Sequence, residues 1–388
     1  MPSPLRILLI NYEYPPVGGG GGNNTRHIAR ALAHLGQQPF VLTAACGDLP
    51  RHEVTDGVTI VRIPAFRRRP DRATVPEMVA FILAAMRVVP RYAREWKIDA
   101  AIAYFGLPGG PVGWMLKRST GAPYVIYMQG GDVPGFIYPG LGFYHALTGG
   151  LLRYLWRDAY TVAGLCRDLC ARAQRHAPDQ DFRIMHPGAD VHGIAAKTDY
   201  APRAAVELLF VGRFVRQKGL DLLLEALATI DPSLKWHLTL VGDGPERANL
   251  LEQATRLGLI DRIALRGWVK KEELSAIYRN GEVFVLPSRD EGFANVLLEA
   301  MAAGLPIMGT YVSGTDDAVI DGETGYIVQP GDVPALADRL TKLFSDATLR
   351  EHMGRAARAR AEAQFDWHKL AEDWVALLQE AITAKTAH

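Results

Sequence analysis

Three cysteines in 388 residues, Cys46, Cys166 and Cys170, leave no disulfide framework. Cys166 and Cys170 would share a helix face, but no His or Cys partner stands at ligand spacing. They read as reduced packing residues rather than a metal pair. No His/Cys/Asp/Glu cluster elsewhere has metal-site spacing, so the expected metal set is none. No segment reaches the roughly 18–20 apolar residues that a membrane-spanning helix needs. The first apolar run, I-L-L-I-N after M-P-S-P-L-R, is too short for a signal sequence, and a cytoplasmic chain is expected. A net charge of +1 gives no global argument for nucleic-acid binding. Short-period repeats and low-complexity tracts are also missing.

What remains is a long, ordinary globular composition, too large for one core, which suggests two domains. Arg6 to Asn11 reads as a buried strand. It is followed by a glycine-rich loop (Val17 to Gly22), a helix from about Asn24 to Leu35, and a second strand from Phe40 to Ala44. That is a βαβ unit of the kind found in doubly wound sheets. Strands are expected again at Thr59–Ile63, Ala100–Tyr104 and Tyr124–Tyr127, with weaker candidates at Tyr160–Ala163 and Phe182–Met185. A polar stretch near Ala195–Arg203 reads as a linker, and then the alternation restarts. Strands at Glu207–Val211, Trp236–Val241, Ile263–Arg266, Val283–Leu286, Pro306–Gly309 and Gly325–Val328 are separated by helical patterns. Two consecutive α/β halves imply a cleft between them.

The residues that carry chemistry fall at strand ends. In Arg289–Pro306 (R-D-E-G-F-A-N-V-L-L-E-A-M-A-A-G-L-P), Glu291 and Glu299 lie eight residues apart across a strand–turn–helix junction. The backbone N–H groups of Gly292, Phe293, Ala294 and Asn295 would point at an anion there. One carboxylate in the loop and one a turn into the helix can bracket a ligand with hydroxyls at both ends and phosphate between. In Gly212–Gly219 (G-R-F-V-R-Q-K-G), Arg213 and Lys218 follow a strand. A planar fork and a point charge suit a diphosphate; the plain alternative is two solvated cations on a loop. Gly18–Gly22 would let a backbone approach a ligand. In Tyr127–Gly135 (Y-M-Q-G-G-D-V-P-G), Asp132 either serves a ligand or caps a turn. V-G-D-G-P-E (Val241–Glu246) is another strand-end turn in which Asp243 is a helix-cap candidate. R-G-W-V (Arg266–Val269) offers backbone to a base edge. His186–Asp190 reads as structural, a hinge candidate.

These motifs together resemble the retaining glycosyltransferases of family 4, over nearly the whole chain. Glu291–Glu299 with A-M-A-A-G-L-P, G-R-F-V-R-Q-K-G, V-G-D-G-P, D-G-E-T-G-Y-I-V (Asp321–Val328) and the opening E-Y-P-P-V-G-G-G-G-G stand in the family's order. The resemblance implies an α/β GT-B fold, two Rossmann-like domains with parallel sheets facing a central cleft. It places an acceptor domain at 1–190 plus 366–388, a linker at 191–204 and a donor domain at 205–365. Phe365-Asp366-Trp367 would mark the crossing back to the first domain. Arg213 and Lys218 would stabilise the departing diphosphate. Glu291 would hold the donor sugar and Glu299 the ribose. Backbone from Gly292 to Val296 and at Val269 would complete the donor site, and Gly19 and Gly20 would close over the phosphates. Asp132 and Gln129 would lie on the acceptor side. Many family members carry His where this chain has Gln129, and Gln cannot act as a base. That shifts weight to Asp132 and to the departing phosphate. No cofactor or metal is implied, because Arg and Lys neutralise the charge.

The expected reaction is transfer of a hexose from a nucleotide-diphosphate sugar, UDP first and GDP second, to a glycan, lipid-linked or small-molecule hydroxyl. The alternatives are a GT-B epimerase or hydrolase, which would turn over without acceptor, and a non-catalytic nucleotide-sugar-binding module. A dehydrogenase fits less well, because the first loop has no clear G-x-G-x-x-G register and no acid ends the second strand. The basic stretch Phe66–Arg72 precedes the mostly apolar Val75–Val89 and then Arg91, Arg94, Trp96 and Lys97. It reads either as a solvated loop and a packed helix or as peripheral contact with an anionic membrane. Nucleic acid is not an expected partner.

Overall fold

The computed structural model describes residues 3–70, 73–133 and 141–386. Asp71 and Arg72 of the basic stretch, and Pro134 and Gly135 at the end of the Tyr127–Gly135 motif, lie outside them. The chain divides into two compact units, 1–187 with 367–388, and 188–366.

The first unit holds β1 (Arg6–Ile10), α1 (Gly20–His34), β2 (Gln38–Cys46), β3 (His52–Thr55), β4 (Val58–Arg67), α2 (Val75–Glu95) and β5 (Ala100–Tyr104). It continues with α3 (Gly110–Thr120), β6 (Tyr124–Met128), α4 (Leu141–Asp158), β7 (Thr161–Gly164), α5 (Arg167–His176) and β8 (Phe182–Ile184). The strand order is β3-β4-β2-β1-β5-β6-β7-β8. All neighbours are parallel except β3, which pairs antiparallel with β4. The central strands β5 and β6 are buried at every position. That is why they read as continuous apolar runs and not as alternation.

The second unit holds β9 (Val206–Val211), α6 (Leu220–Thr229), β10 (Trp236–Val241), α7 (Arg247–Arg256), β11 (Ile263–Gly267), α8 (Lys271–Asn280) and β12 (Val283–Leu286). Then come α9 (Asn295–Ala302), β13 (Ile307–Thr310), α10 (Thr315–Ala318), β14 (Gly325–Val328), α11 (Val333–Ser345) and α12 (Ala347–Gln364). The order β11-β10-β9-β12-β13-β14 reverses direction between β9 and β12. In the first unit the reversal falls between β1 and β5. Open α/β sheets bind ligands at such switch points, outside the carboxyl ends of the strands.

The last helix, α13 (Trp367–Thr386), packs back on the first unit. Its Trp374 meets Tyr127 edge-on at 4.9 Å, and Trp367 stacks on His27 at 5.3 Å.

Three expectations need correction. The glycine-rich segment is not a loop through Gly22, because α1 begins at Gly20. Gly18, at φ +97°, makes the turn, and Asn23 N–H already donates to Gly19 O at 3.1 Å. The Gly21 carbonyl accepts from Asn11 Nδ2 and Thr25 Oγ1, which fixes the first helical turn despite three glycines. Second, the β3–β4 hairpin was not expected. Its turn, Asp56-Gly57, takes φ +52° and +75°, the backbone that an Asp-Gly hairpin turn requires. It adds one antiparallel edge strand to the otherwise parallel sheet of the first unit. Third, the stretch 191–204, read as a linker, lies within the second unit. Lys197 is buried there and donates to Gly281 O at 3.0 Å, and burial lowers its pKa. Tyr200 and Arg203 donate to Gly304 O and Asn280 O.

Candidate active site

In the second unit, the loops after β9 and β12 meet at the switch point. Lys218 Nζ lies 2.5 Å from Glu291 Oε1, and Ser288 Oγ donates to the same oxygen at 2.7 Å. Glu291 is only 6% exposed, so this charge pair is largely withdrawn from water. Ser288 is held from behind: its carbonyl accepts from Thr310 Oγ1 on β13 at 2.6 Å. Arg289 N–H donates to Gln217 O, and Gln217 Nε2 donates to Asp290 O, lacing the two loops together. A bidentate bond from Arg289 to Asp221, at 2.6 and 2.7 Å, ties the β12 loop to α6. Burial pushes the Asp221 carboxyl up, but the Arg289 bonds and charge outweigh it and leave its pKa below the ordinary value.

Glycine is required where the loops touch. Gly219 has φ +66°, and a Cβ there would stand 1.9 Å from Pro287 O. The glycines of Val241–Glu246 serve the same packing. A Cβ on Gly242 would stand 2.0 Å from Gly212 O, and one on Gly244 2.3 Å from Phe214 O. Asp243 caps no helix by its side chain; it bonds Gly244 N–H and pairs with Arg247 at 3.3 Å. The helix of the Glu pair, α9, starts at Asn295 behind Ala294 with no side-chain cap. Its first-turn N–H groups thus carry the partial positive charge of a helix N-terminus.

Glu299 lies one turn further along and is half-buried. Tyr278 of α8 donates to its Oε2 at 2.8 Å. Burial first, and then the Glu299 charge, push the Tyr278 phenol well above its ordinary pKa, so it stays a donor. Arg213 is exposed, and its side chain has no partner among the described residues. Val269 is half-buried just past β11 and packs on the core. The second unit thus brings Lys218 and Glu291 together at one point. It holds Glu299 separately through Tyr278, and it leaves Arg213 in solvent.

In the first unit, Gly19 and Gly20 stand at the start of α1, beside the turn that follows β6. A Cβ on Gly21 would lie 3.6 Å from Gln129 Oε1 and 3.1 Å from the Phe105 ring, so the two turns adjoin. Asp132 is 6% exposed. Its Oδ1 accepts N–H from Gln129 and Gly130 at 2.9 and 3.1 Å, and its Oδ2 accepts from Gly106 at 2.7 Å. Burial pushes its carboxyl above the ordinary range despite these three bonds. The carboxylate thus shapes its own turn and fastens it to the segment after β5.

Several residues at these turns had no signal as site residues. Ser288 and Tyr278 are ordinary in sequence and gain meaning only from partners 3 and 21 residues away. Glu13 accepts from Gly19 N–H at 3.2 Å and lies 3.7 Å from the buried Arg67 guanidinium. A Glu beside a glycine run was a visible cue; a buried Arg in a basic tract was not.

Two family descriptions match the chain, "Glycosyl transferase 4-like domain" over residues 19–188 and "Glycosyl transferases group 1" over residues 202–360. Among curated proteins, glycogen synthase of Mycobacterium tuberculosis is 30% identical across 95% of this chain and 92% of its own length. Among solved structures, sucrose-phosphate synthase from Thermosynechococcus elongatus superposes with a TM-score of 0.83 at 24% identity, covering 98% of this chain and all of that one. HepE from Anabaena, in complex with UDP, superposes with a TM-score of 0.77 at 18% identity over 97% of this chain and all of that one. The chain belongs to the family 4 (group 1) glycosyltransferases and has their GT-B fold.

Proposed function

We propose that this glycosyltransferase moves a hexose from a UDP-sugar to a hydroxyl of a glycan or lipid-linked acceptor, with retention and without a metal. The observation that carries the reading is the Lys218–Glu291–Ser288 cluster at the β9/β12 switch point, beside the uncapped start of α9. It offers a cation, an acceptor of sugar hydroxyls and free N–H dipoles within one pair of loops. Uridine is our first choice of base; among structural neighbours HepE is solved with UDP, and a starch synthase with ADP.

In this reading, the bond between the sugar anomeric carbon and the β-phosphate oxygen breaks first. The electron pair goes to the phosphate, where Lys218 and Arg213 stabilise the growing charge. Arg213 is exposed and has no side-chain partner among the described residues, so it can turn to a diphosphate. Lys218 exchanges its bond to Glu291 for one to the phosphate, and Glu291 then accepts from donor-sugar hydroxyls. The start of α9, at Asn295 and Val296, with the loop from Gly292 that leads into it, takes the phosphate and sugar oxygens. Glu299, oriented by Tyr278, accepts from the ribose hydroxyls, and the backbone at Val269 meets the base. Gly19 and Gly20 offer side-chain-free backbone to the phosphates. The acceptor hydroxyl attacks the face the phosphate leaves, and its proton passes to a departing phosphate oxygen. Asp132 holds the turn of Gln129 on the acceptor side. With Arg and Lys carrying the charge balance, no metal or cofactor is needed. The basic and apolar segment 66–97 suits a lipid-linked acceptor and peripheral contact with an anionic membrane.

The test is a transfer assay with UDP-glucose, UDP-galactose and UDP-N-acetylglucosamine in EDTA, reading the anomeric proton of the product by NMR. An α-linked product, lost in Glu299→Gln and in Lys218→Ala folded as wild type, supports the reading. An inverted product, a strict metal requirement or normal turnover in either variant contradicts it. Equal turnover without any acceptor would favour an epimerase or hydrolase.

A further inference from the structure

Helix α2 is amphipathic in an unusual sense. Phe81, Ala85, Val89 and Ala93 are buried in the core, as one face of a packed helix should be. The opposite face is also apolar at its start. Val75, Val79 and Leu83, at i, i+4 and i+8, are 56%, 47% and 66% exposed. The same stripe then turns basic with Arg87 and Arg91, both exposed. Phe66, at the end of β4, is 82% exposed and holds φ +55°. A bulky aromatic in left-handed backbone with its ring in water is doubly unfavourable, and such strain gathers at functional segments.

Phe66 belongs to the same surface. Two residues on, Arg68 donates its backbone N–H to Glu77 Oε1 at 3.0 Å, which puts the end of β4 against the first turn of α2. Residues 66–97 contain eight Lys and Arg and three Asp and Glu, in a chain whose net charge is only +1. The arginine side chains of 68, 87 and 94 have no ion pair among the described residues. An apolar stripe that runs into Arg87, without an ion pair among the described residues, and Arg91, paired with Glu95 at 3.8 Å, complements an anionic lipid headgroup layer over acyl chains. Among the described residues, no helix is long and apolar enough to cross a membrane, so the surface would lie on a bilayer rather than span it.

The surface is wired to the glycine-rich turn. Arg67, between Phe66 and Arg68, points inward, with its side chain 1% exposed. It donates to Tyr12 O, Arg69 O and Pro70 O at 3.1, 3.1 and 3.3 Å. Pro70 O in turn accepts from Gly18 N–H at 2.7 Å. The loop that carries Phe66 and Arg68 outward is thus bonded on its inner side to both ends of the turn that leads into Gly19 and Gly20.

We infer that Phe66, Arg68 and the Val75–Val79–Leu83–Arg87 stripe of α2 form a docking surface for an anionic lipid bilayer, and that docking orders the glycine-rich turn through Arg67 and Pro70. This rests on the proposed peripheral membrane contact and names its surface and its consequence. Lipid-bound enzyme would hold the Gly18–Gly20 backbone in one arrangement, whereas the same turn exchanges more freely in solution. Transfer would thereby be favoured where a lipid-linked acceptor resides.

The experiment is co-sedimentation of the full chain with phosphatidylcholine vesicles, with and without phosphatidylglycerol, followed by hydrogen exchange of the vesicle-bound protein. Binding should require phosphatidylglycerol and weaken with salt. Val79→Glu/Leu83→Glu and Arg68→Glu/Arg87→Glu should each lower the partition coefficient by about tenfold or more, with unchanged melting curves. Amides of Gly18–Thr25 should exchange more slowly on vesicles in wild type. In Arg67→Lys, which keeps the charge but not the three-way fork, binding should persist and that slowing should vanish. Equal binding to neutral vesicles, or none to anionic ones, overturns the docking surface. So does a solution dimer broken by Val79→Glu/Leu83→Glu, which would assign the face to a second copy. Binding with unchanged exchange at Gly18–Thr25 overturns the coupling. UDP affinity of Val79→Glu/Leu83→Glu and of Arg68→Glu/Arg87→Glu, measured without vesicles, stays at the wild-type value if only docking is affected. Loss of docking is thereby separated from failure of the transferase reading.

Discussion

Lys218→Met tests whether the switch-point cluster is an electrostatic device or a surface contact. Met keeps much of the length of the Lys stem and removes the charge. Glu291, 6% exposed, is then left with Ser288 Oγ as its one side-chain partner of the two seen at 2.5 and 2.7 Å. Removing one partner from a buried ion pair costs about 3–5 kcal/mol. Lys218 keeps 16% exposure, and the Ser288 bond survives, so the expected loss falls below that range, at about 2–3 kcal/mol. Native-state hydrogen exchange at the amides of β9 and β12 reads this locally and does not require the two units to unfold together. Adding Glu291→Leu to Lys218→Met should recover at least half of the loss, because it removes the stranded charge. A single variant within about 0.5 kcal/mol of wild type would refute the reasoning, since that is the range of ordinary surface substitutions.

Gly219→Ala should destabilise the second unit by about 2 kcal/mol or more. The left-handed backbone alone costs ~1–2 kcal/mol, and the new Cβ would meet Pro287 O at 1.9 Å. A neutral urea midpoint would contradict it. Tyr278→Phe should cost about 1–2 kcal/mol and weaken UDP binding, because Glu299 loses the donor at 2.8 Å that orients it; unchanged affinity in a titration would count against that role. The Asp221 pKa is depressed in the folded state, so the stability this carboxylate contributes is present above its ordinary value of 3.8 and is lost as pH falls through the lower folded value. The gap in urea midpoint between wild type and Asp221→Asn should therefore close below about pH 4. A gap that stays constant down to pH 2 would show that the Arg289 bond is not what lowers the pKa.

Much of this architecture was legible because its signals are local. Buried parallel strands such as Ala100–Tyr104, Trp236–Val241 and Val283–Leu286 are short apolar runs between turn residues, and their limits came out as read. Lys218 and Glu291 were legible as chemistry because each follows a strand. Their 2.5 Å contact was not, since it depends on β9 and β12 pairing across the switch point. The same holds for Tyr278 with Glu299 and for Lys197, a polar residue in a polar stretch that finds carbonyls more than 80 residues away. Helix α1 starts among glycines because Asn11 and Thr25 hold the Gly21 carbonyl, a tertiary effect that overrides poor propensity. The β3–β4 hairpin is a different matter. Asp56-Gly57 between Val-Thr pairs is a local hairpin signal, and the strand before it was not among those expected.

The central claim is that the second unit binds a nucleotide diphosphate through charged side chains, with no metal between. Calorimetric titration of UDP into the protein in EDTA tests it most directly, with Lys218→Met run beside wild type. Saturable binding in EDTA is expected, with an affinity at least tenfold weaker in the variant, about 1.4 kcal/mol. Binding that appears only with added divalent metal, or that is equal in both proteins, would contradict it.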